Sequence, residues 1–277
     1  RSLKPKMMVQ FHPRMPFSMG GRGLDFLRWD AGDPREVDRK RGDKVQRDLL
    51  MSDPTYTEVS CDLCGADKGG EVIIEKFGGY YTRCSSCGFV YSNPRAIDPE
   101  QYNEDNNAAL KEKYVRKQYS KRHQTGYAKL LRKFAPYREN GRLLEVGSST
   151  GGLLFQARNL GWDPVGVEPV DAVASYGRDE HGLDVRSCIL EDAKFPDDHF
   201  DVVFSNAVLE HLPSPARVIS ESFRILRPGG VLYGDTVNIA SHTFAMLGSE
   251  WKLVDPRAHL GLFTPETLRR FAEKAGF

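Results

Sequence analysis

Residues 142–152, Arg142-Leu-Leu-Glu-Val-Gly-Ser-Ser-Thr-Gly-Gly152, constrain the fold more than any other stretch of this chain. Leu143, Leu144 and Val146 form a short apolar run that stops at Gly147, the signature of a buried strand. From Gly151 the period changes. Leu153, Leu154, Ala157 and Leu160 recur at helical spacing, and Gly161 stands where a helix C-cap belongs. A strand therefore runs through a small-residue turn into a helix N-terminus. That geometry lets backbone approach a ligand and aims N–H groups at it.

A dinucleotide fold requires G-x-G-x-x-G at such a turn, with pyrophosphate on the helix end. Here the order is Glu145-x-Gly147-x-Ser149-x-Gly151, with an acid before the first glycine. A carboxylate there repels pyrophosphate and suits a ligand with a cationic amino-acid end. The pattern resembles motif I of the class I S-adenosylmethionine-dependent methyltransferases. Ser149 departs from it by replacing the middle glycine. Asp163-Pro-Val-Gly-Val-Glu-Pro169 is a second strand ending in an acid, Glu168, where a ribose-binding acid belongs. Leu190-Glu-Asp-Ala-Lys-Phe195 resembles the family's adenine-contacting loop. Phe200-Asp-Val-Val-Phe-Ser-Asn206 looks like its fourth strand, and Arg227-Pro-Gly-Gly-Val-Leu-Tyr233 like the turn into the fifth. The resemblance covers residues 141–277. It implies S-adenosylmethionine as cofactor. Glu145, Gly147, Ser149 and Gly151 would lie at the amino-acid end, Glu168 and Pro169 at the ribose, Asp192 and Ala193 at the adenine, and Asn206 beside them.

The expected fold class is α/β, a Rossmann-like doubly wound parallel sheet. Strands are expected over 142–147, 164–168, 184–188, 201–205 and 231–237. Helices are expected over 151–160, 171–180 and 214–226, and one more begins at Thr264-Pro-Glu. A complete class I fold continues into an antiparallel hairpin. Its absence here implies a C-terminally truncated chain with one sheet edge open.

Upstream, Cys61-Asp-Leu-Cys64-Gly and Cys84-Ser-Ser-Cys87-Gly are two C-x-x-C knuckles with 19 residues between them. This is the pattern of a four-cysteine zinc ribbon. Four thiolates close the tetrahedron, so Cys61, Cys64, Cys84 and Cys87 are expected to hold a structural Zn²⁺. A redox dithiol is the rival reading. Val72-Ile-Ile and Tyr80-Tyr-Thr read as short strands between the knuckles. The block resembles the N-terminal zinc-binding region of methyltransferases that act on nucleotide-linked sugars. Metal-spaced cysteines and the lack of a signal-like apolar core place the chain in the cytoplasm. No apolar run approaches the ~18 residues of a membrane span.

The net charge of +1 hides a segregation. Residues 1–50 carry 12 Lys/Arg against 7 Asp/Glu, and residues 108–133 carry 9 Lys/Arg against Glu112 alone, so the remainder carries −12. Residues 1–54 show no sustained periodicity and are expected as a poorly ordered extension. No methionine stands at position 1, whereas Met51-Ser-Asp-Pro has the form of an ordinary start. A basic arm for nucleic acid is the alternative. Residues 55–97 are then the ribbon, 98–138 a helical connector or lid, and 139–277 the cofactor domain. On the connector, Tyr114 and Tyr119 are candidates to close over the cofactor, and the cations could meet an anionic substrate.

The resulting expectation is a methyltransferase acting on a small anionic molecule, a nucleotide-linked sugar. The alternatives are an RNA methyltransferase gripping RNA through its ribbon, and a non-catalytic cofactor-binding module. Glu210 and His211 directly follow the strand over 201–205, at the sheet's ligand-binding end. His211 is the candidate general base with Glu210 orienting its ring, and His259 is the rival base from a later loop.

Overall fold

The computed structural model describes residues 4–11, 53, 55–67, 70–96 and 107–277. Its centre is a six-stranded parallel sheet. In chain order its strands are β1 (Lys6–Phe11), β7 (Arg142–Val146), β8 (Asp163–Val167), β9 (Asp184–Arg186), β10 (Phe200–Asn206) and β11 (Leu226–Thr236). In space they run β1-β11-β10-β7-β8-β9. The order reverses beside β7, which places a ligand crevice at its carboxyl end.

The apolar runs are continuous because both faces of the sheet are covered. Leu144, Val203 and Leu232 enter one hydrophobic cluster, while their neighbours Leu143, Val202 and Val231 enter another. The first cluster packs under α5 (Pro215–Ile225) and α7 (Pro265–Ala275). The second packs under α2 (Lys121–Arg132), α3 (Gly152–Asn159) and α4 (Asp171–His181). Buried Asp201 joins the layers at the entry to β7. One of its oxygens accepts from the backbone N–H groups of Glu139, Asn140 and Gly141 at 2.9, 3.0 and 2.7 Å, and the other pairs with Arg227.

Two expectations are corrected at the edge of this sheet. A structureless extension is expected over 1–54, yet Lys6–Phe11 form a strand in register with Val231–Thr236. The reason is the alternation Met7-Met8-Val9: Met7 and Val9 pack against one cluster, Met8 against the other. The same strand covers the edge of β11 that is expected to lie open, and so pairs its backbone groups. Residues 12–50 of the candidate nucleic-acid arm, the start at Met51 and the connector's first residues fall outside the described residues.

The cysteine segment builds a smaller antiparallel sheet from β3 (Gly70–Lys76), β4 (Gly79–Cys84) and β5 (Val90–Ser92), besides a short pair, β2 (Tyr56–Thr57) with β6 (Arg95–Ala96). It does not stand apart from the large sheet. Its fourth strand is β12 (Gly261–Leu262), from the far end of the chain. Phe89 lies 5.3 Å from Phe263 and 5.1 Å from Phe271, inside the first cluster. Asp62, between the first two cysteines, accepts from Ser214 Oγ (2.6 Å) and from the backbone N–H of Ala216 (2.8 Å), and so caps α5. Lys274 and Arg270 of α7 donate to the carbonyls of Leu63 and Cys87.

The connector is two helices, α1 (Asn107–Gln118) and α2, broken at Tyr119 and capped afresh by Ser120. A sixth helix in chain order, α6 (His242–Leu247), precedes the loop 251–260. Among the described residues no helix is long and apolar enough to cross a membrane.

Gly234 makes the closest sheet contact. A Cβ there would sit 2.3 Å from the carbonyl oxygen of Ser205 on β10. Strand propensity alone favours alanine over glycine. Packing reverses the sign, and Gly234→Ala is expected to destabilise the fold by about 1–3 kcal/mol. Chemical denaturation of the two proteins measures this.

Candidate active site

The turn after β7 has three residues at positive φ: Gly147 (70°), Ser149 (51°) and Gly151 (82°). At Gly147 a side chain is excluded as well, because its Cβ would lie 2.5 Å from Val208 Cγ2. Ser149 adopts the left-handed conformation with a side chain, at a cost of about 1–2 kcal/mol. Its N–H donates to Glu168 Oε2 at 3.0 Å, which offsets that strain. The carbonyl of Val167 accepts from Gly147 and Ser148 at 2.9 and 3.1 Å. The end of β8 therefore holds the turn in place.

Two acids face this turn. Glu145 is buried, and its Oε2 has no hydrogen-bond partner among the described residues. Burial, then the nearby Glu168 carboxylate, pushes Glu145 well above the ordinary carboxylate range. Burial also raises Glu168, against bonds from the N–H groups of Ser149 and Val170 that favour its charged form. A cation or hydroxyl donors at this place would satisfy both. Free N–H groups are expected at the start of α3, and one of them, that of Gly152, is taken by the connector. Gln118 Oε1 accepts from the Gly152 N–H at 3.0 Å and from Thr150 Oγ1 at 2.9 Å. Gln124 Nε2 donates to the Gly152 carbonyl.

The connector thus closes on the turn with residues the sequence reading does not single out, Gln118, Gln124 and Tyr127. Tyr119, which it does, donates to the carbonyl of Thr150 at 2.7 Å and stacks on His181 at 4.5 Å. Burial raises the phenols of Tyr119 and Tyr127, and Glu145 adds to this in both. Ser120, Gln124, Tyr127 and Leu131 share one face of α2, and this spacing is the signal that could have found Tyr127. Tyr114 is half-buried and takes no part in these bonds. Lys113, Arg116, Lys117, Lys121, Arg122, Lys129, Arg132 and Lys133 are exposed, so the connector's cations face solvent.

The remaining candidates lie at the carboxyl ends of the other strands. Pro169 is exposed beside Glu168. Asp192 is exposed and Ala193 half-buried on a single 3-10 turn, Leu190–Ala193. Asn206 ends β10, and its amide nitrogen donates to both oxygens of Asp235, at 3.0 and 2.9 Å. Asp235 also accepts from the Ala207 N–H.

Past Asn206 a second 3-10 turn, Leu209–His211, sets Glu210 and His211 above the sheet. Buried Glu210 accepts from Thr236 Oγ1 at 2.8 Å, and burial raises its pKa. Glu210 is expected to orient His211, but the Ala258 carbonyl does so instead, 2.7 Å from Nδ1. His259 is the neighbour of His211 rather than a remote rival. The ring centroids are 4.6 Å apart at 73°, and His259 Nδ1 lies 2.6 Å from the Leu253 carbonyl. Carbonyls only accept, so each Nδ1 carries the proton and each Nε2 is left as an acceptor. His211 is exposed at one side and His259 is half-buried; partial desolvation lowers the pKa of both rings, and the charge of His211 lowers His259 further. One ligating atom each from Glu210, His211 and His259 lies within 4.8 Å of the others, a group that could hold a metal ion.

The four cysteines converge in the same way, with all Sγ atoms within 4.8 Å. Cys61 and Cys87 are 3.5 Å apart and Cys64 and Cys84 are 3.6 Å apart. These separations are too long for disulfides. They approach the ~3.8 Å edge of a tetrahedron with ~2.3 Å metal–sulfur bonds. Gly65 and Gly88 follow the knuckles at φ of 74° and 76° and close their turns.

Residues 119–277 match the family described as Methyltransferase domain. The chain belongs to that family, and its parallel sheet has the strand order of a Rossmann-like fold. Among curated proteins it is similar to ubiquinone biosynthesis O-methyltransferases. That of Cereibacter sphaeroides is 32% identical over 146 residues, 49% of this chain and 59% of that one. That of Hahella chejuensis is 36% identical over 121 residues, 40% of this chain and 50% of that one. The chain therefore spans little more than half the length of these relatives. Among solved structures, an S-adenosylmethionine-dependent methyltransferase of Thermotoga maritima is 22% identical with a TM-score of 0.45, covering 65% of this chain and 79% of that one.

Proposed function

We propose that this methyltransferase acts on a small anionic acceptor, a nucleotide-linked sugar, with His211 as the general base. The observation that carries the reading is the tethering of His211. The Ala258 carbonyl holds its Nδ1–H, so Nε2 is presented as an acceptor beside the carboxyl end of β10. The lowered pKa keeps that nitrogen unprotonated near neutral pH.

The residues at the turn fit S-adenosylmethionine. Glu145 offers an orphaned, buried carboxylate oxygen to an ammonium group. Glu168 has carboxylate capacity left for ribose hydroxyls. Ser149 and Gly151 shape the turn, and Pro169, Asp192, Ala193 and Asn206 would line the nucleoside side. The bound cofactor supplies a methyl group activated by a sulfonium centre. Tyr119 and Tyr127 exclude water from the Glu145 side. His211 takes the proton from the acceptor's hydroxyl or carbon acid, and His259 packs against its ring. Cys61, Cys64, Cys84 and Cys87 would hold a structural zinc ion, with no open position for substrate. The name of the similar ubiquinone biosynthesis O-methyltransferases favours a second reading, an oxygen acceptor without a phosphate, which calls for the same base.

Calorimetry, kinetics and metal analysis test this. Glu168→Ala should weaken S-adenosylmethionine binding by about 1–3 kcal/mol in calorimetry, since it removes a charged acceptor and frees the Ser149 N–H. His211→Asn should lower turnover by roughly 100-fold or more with cofactor affinity unchanged. In the unaltered enzyme the acid limb of the rate profile should lie below the ordinary histidine value of 6.5, because partial desolvation lowers His211. Full turnover in His211→Asn would remove the base from the mechanism. Metal analysis of freshly purified protein should find one zinc per chain. Cys61→Ser should lose it and lower the melting temperature of the whole fold, since Phe89 packs on Phe263 and Phe271.

A further inference from the structure

An open pocket lies on the seam between the cysteine segment and the loop 251–260, with about 490 Å³ of space including its mouth. Tyr56 and Arg95 form one wall, Pro256 and Arg257 the other, and Ser92 lies between them. The walls are rigidly joined. Ser92 Oγ donates to the Pro256 carbonyl at 2.8 Å, and the Ser92 N–H to the Leu260 carbonyl at 2.9 Å.

The pocket borders the loop that carries His259 and the carbonyl that holds His211. Arg95 Nη1 donates to the carbonyl of Pro213, two residues after His211, at 3.0 Å. Arg257 stands two residues before His259, and Ala258 between them holds the His211 ring. The two arginines differ. Arg257 is paired with Asp255 at 3.1 Å. Arg95 is half-buried and has no carboxylate within ion-pair distance among the described residues. The acid that influences it, Asp62, already accepts from Ser214 and Ala216. A guanidinium has five donors in a planar fork, and the carbonyl bond uses one of them. A partly desolvated fork of this kind is matched by a phosphate-type oxyanion, which can take two parallel bonds from it.

We propose that this pocket is the anion subsite for the methyl acceptor, and that Arg95 holds a phosphate or pyrophosphate ester there while the reactive end reaches His211. The proposal rests on the reading of His211 as the transfer site. Calorimetric titration of inorganic pyrophosphate into the full chain tests it independently of turnover. The unaltered protein should bind pyrophosphate saturably, Arg95→Gln should bind it at least roughly tenfold more weakly, and S-adenosylmethionine affinity should be equal in both. Arg132→Gln, on the exposed face of α2, should bind pyrophosphate as the unaltered protein does. Absent binding, equal binding in Arg95→Gln, or an equal drop in Arg132→Gln overturns the subsite. If Arg95→Gln loses cofactor binding as well, Arg95→Lys decides. It keeps the charge and loses the fork, and pyrophosphate affinity within about twofold of the unaltered protein overturns the proposal. Pyrophosphate binding with full turnover in His211→Asn keeps the subsite and removes the base. The reverse pattern overturns the subsite and keeps the base.

Discussion

The pairing of β7 with β8 is the constraint on which the site depends. Val146 stands opposite Val167, so the end of β8 arrives where the chain must turn after β7. There the Val167 carbonyl takes two N–H groups and Glu168 takes a third, from Ser149. A turn with three left-handed residues is unfavourable by itself. A side chain at Ser149 adds about 1–2 kcal/mol, which a bond to a carboxylate, worth about 1.5–3 kcal/mol, offsets. Gln118 closes the turn from its other side by accepting from Thr150 and Gly152. The turn is therefore formed before any ligand meets it, and binding need not order it.

The cysteine segment shapes the acceptor side in a comparable way. Tyr81 Oη donates to the His259 carbonyl at 2.7 Å, and β5 pairs with β12 just beyond it. Asp62 caps the helix that follows the His211 turn. The loop 251–260 thus lies between the small sheet and the large one, and both of its faces are tied. Lys76 adds bonds to the carbonyls of Ser249 and Trp251. Metal binding at the four cysteines would act on this loop through packing, since the thiolates lie in the same cluster as Phe89, Phe263 and Phe271.

Local patterns carried much of this structure into the sequence. The apolar runs at 143–146 and 202–204 could only be strands buried on both faces, and Glu145, Glu168 and the two C-x-x-C knuckles lie where their spacing places them. Illegible features depend on contacts between distant residues. Lys6–Phe11 reads as part of an Arg- and Gly-rich extension, and becomes a strand only against β11, more than 200 residues away. The meeting of His211 with the Ala258 carbonyl, or of Ser92 with Pro256, leaves no periodic trace. Glu210 adjoins His211 in sequence and invites the wrong partner. Glu210 bonds to Thr236 and a carbonyl takes the imidazole, although a carboxylate oxygen stays within 4.8 Å of a nitrogen of each ring.

The titratable groups of the site divide into two sets with opposite tendencies. Glu145 and Glu168 are held toward their neutral form by burial, which makes a cation at the turn favourable. His211 and His259 are also shifted toward the neutral form, by partial desolvation and, for His259, by the charge of its neighbour. A carboxylate next to the imidazole would raise its pKa and leave it protonated at neutral pH. The Ala258 carbonyl fixes the ring without that full negative charge. Of the acids that act on the pair, Asp255 is paired with Arg257, and Glu210 is itself raised by burial and bonded to Thr236. The same fold can thus attract a cationic ligand at one strand end and keep an unprotonated nitrogen at another. The separation rests on which side chains are bonded to backbone and which to acids.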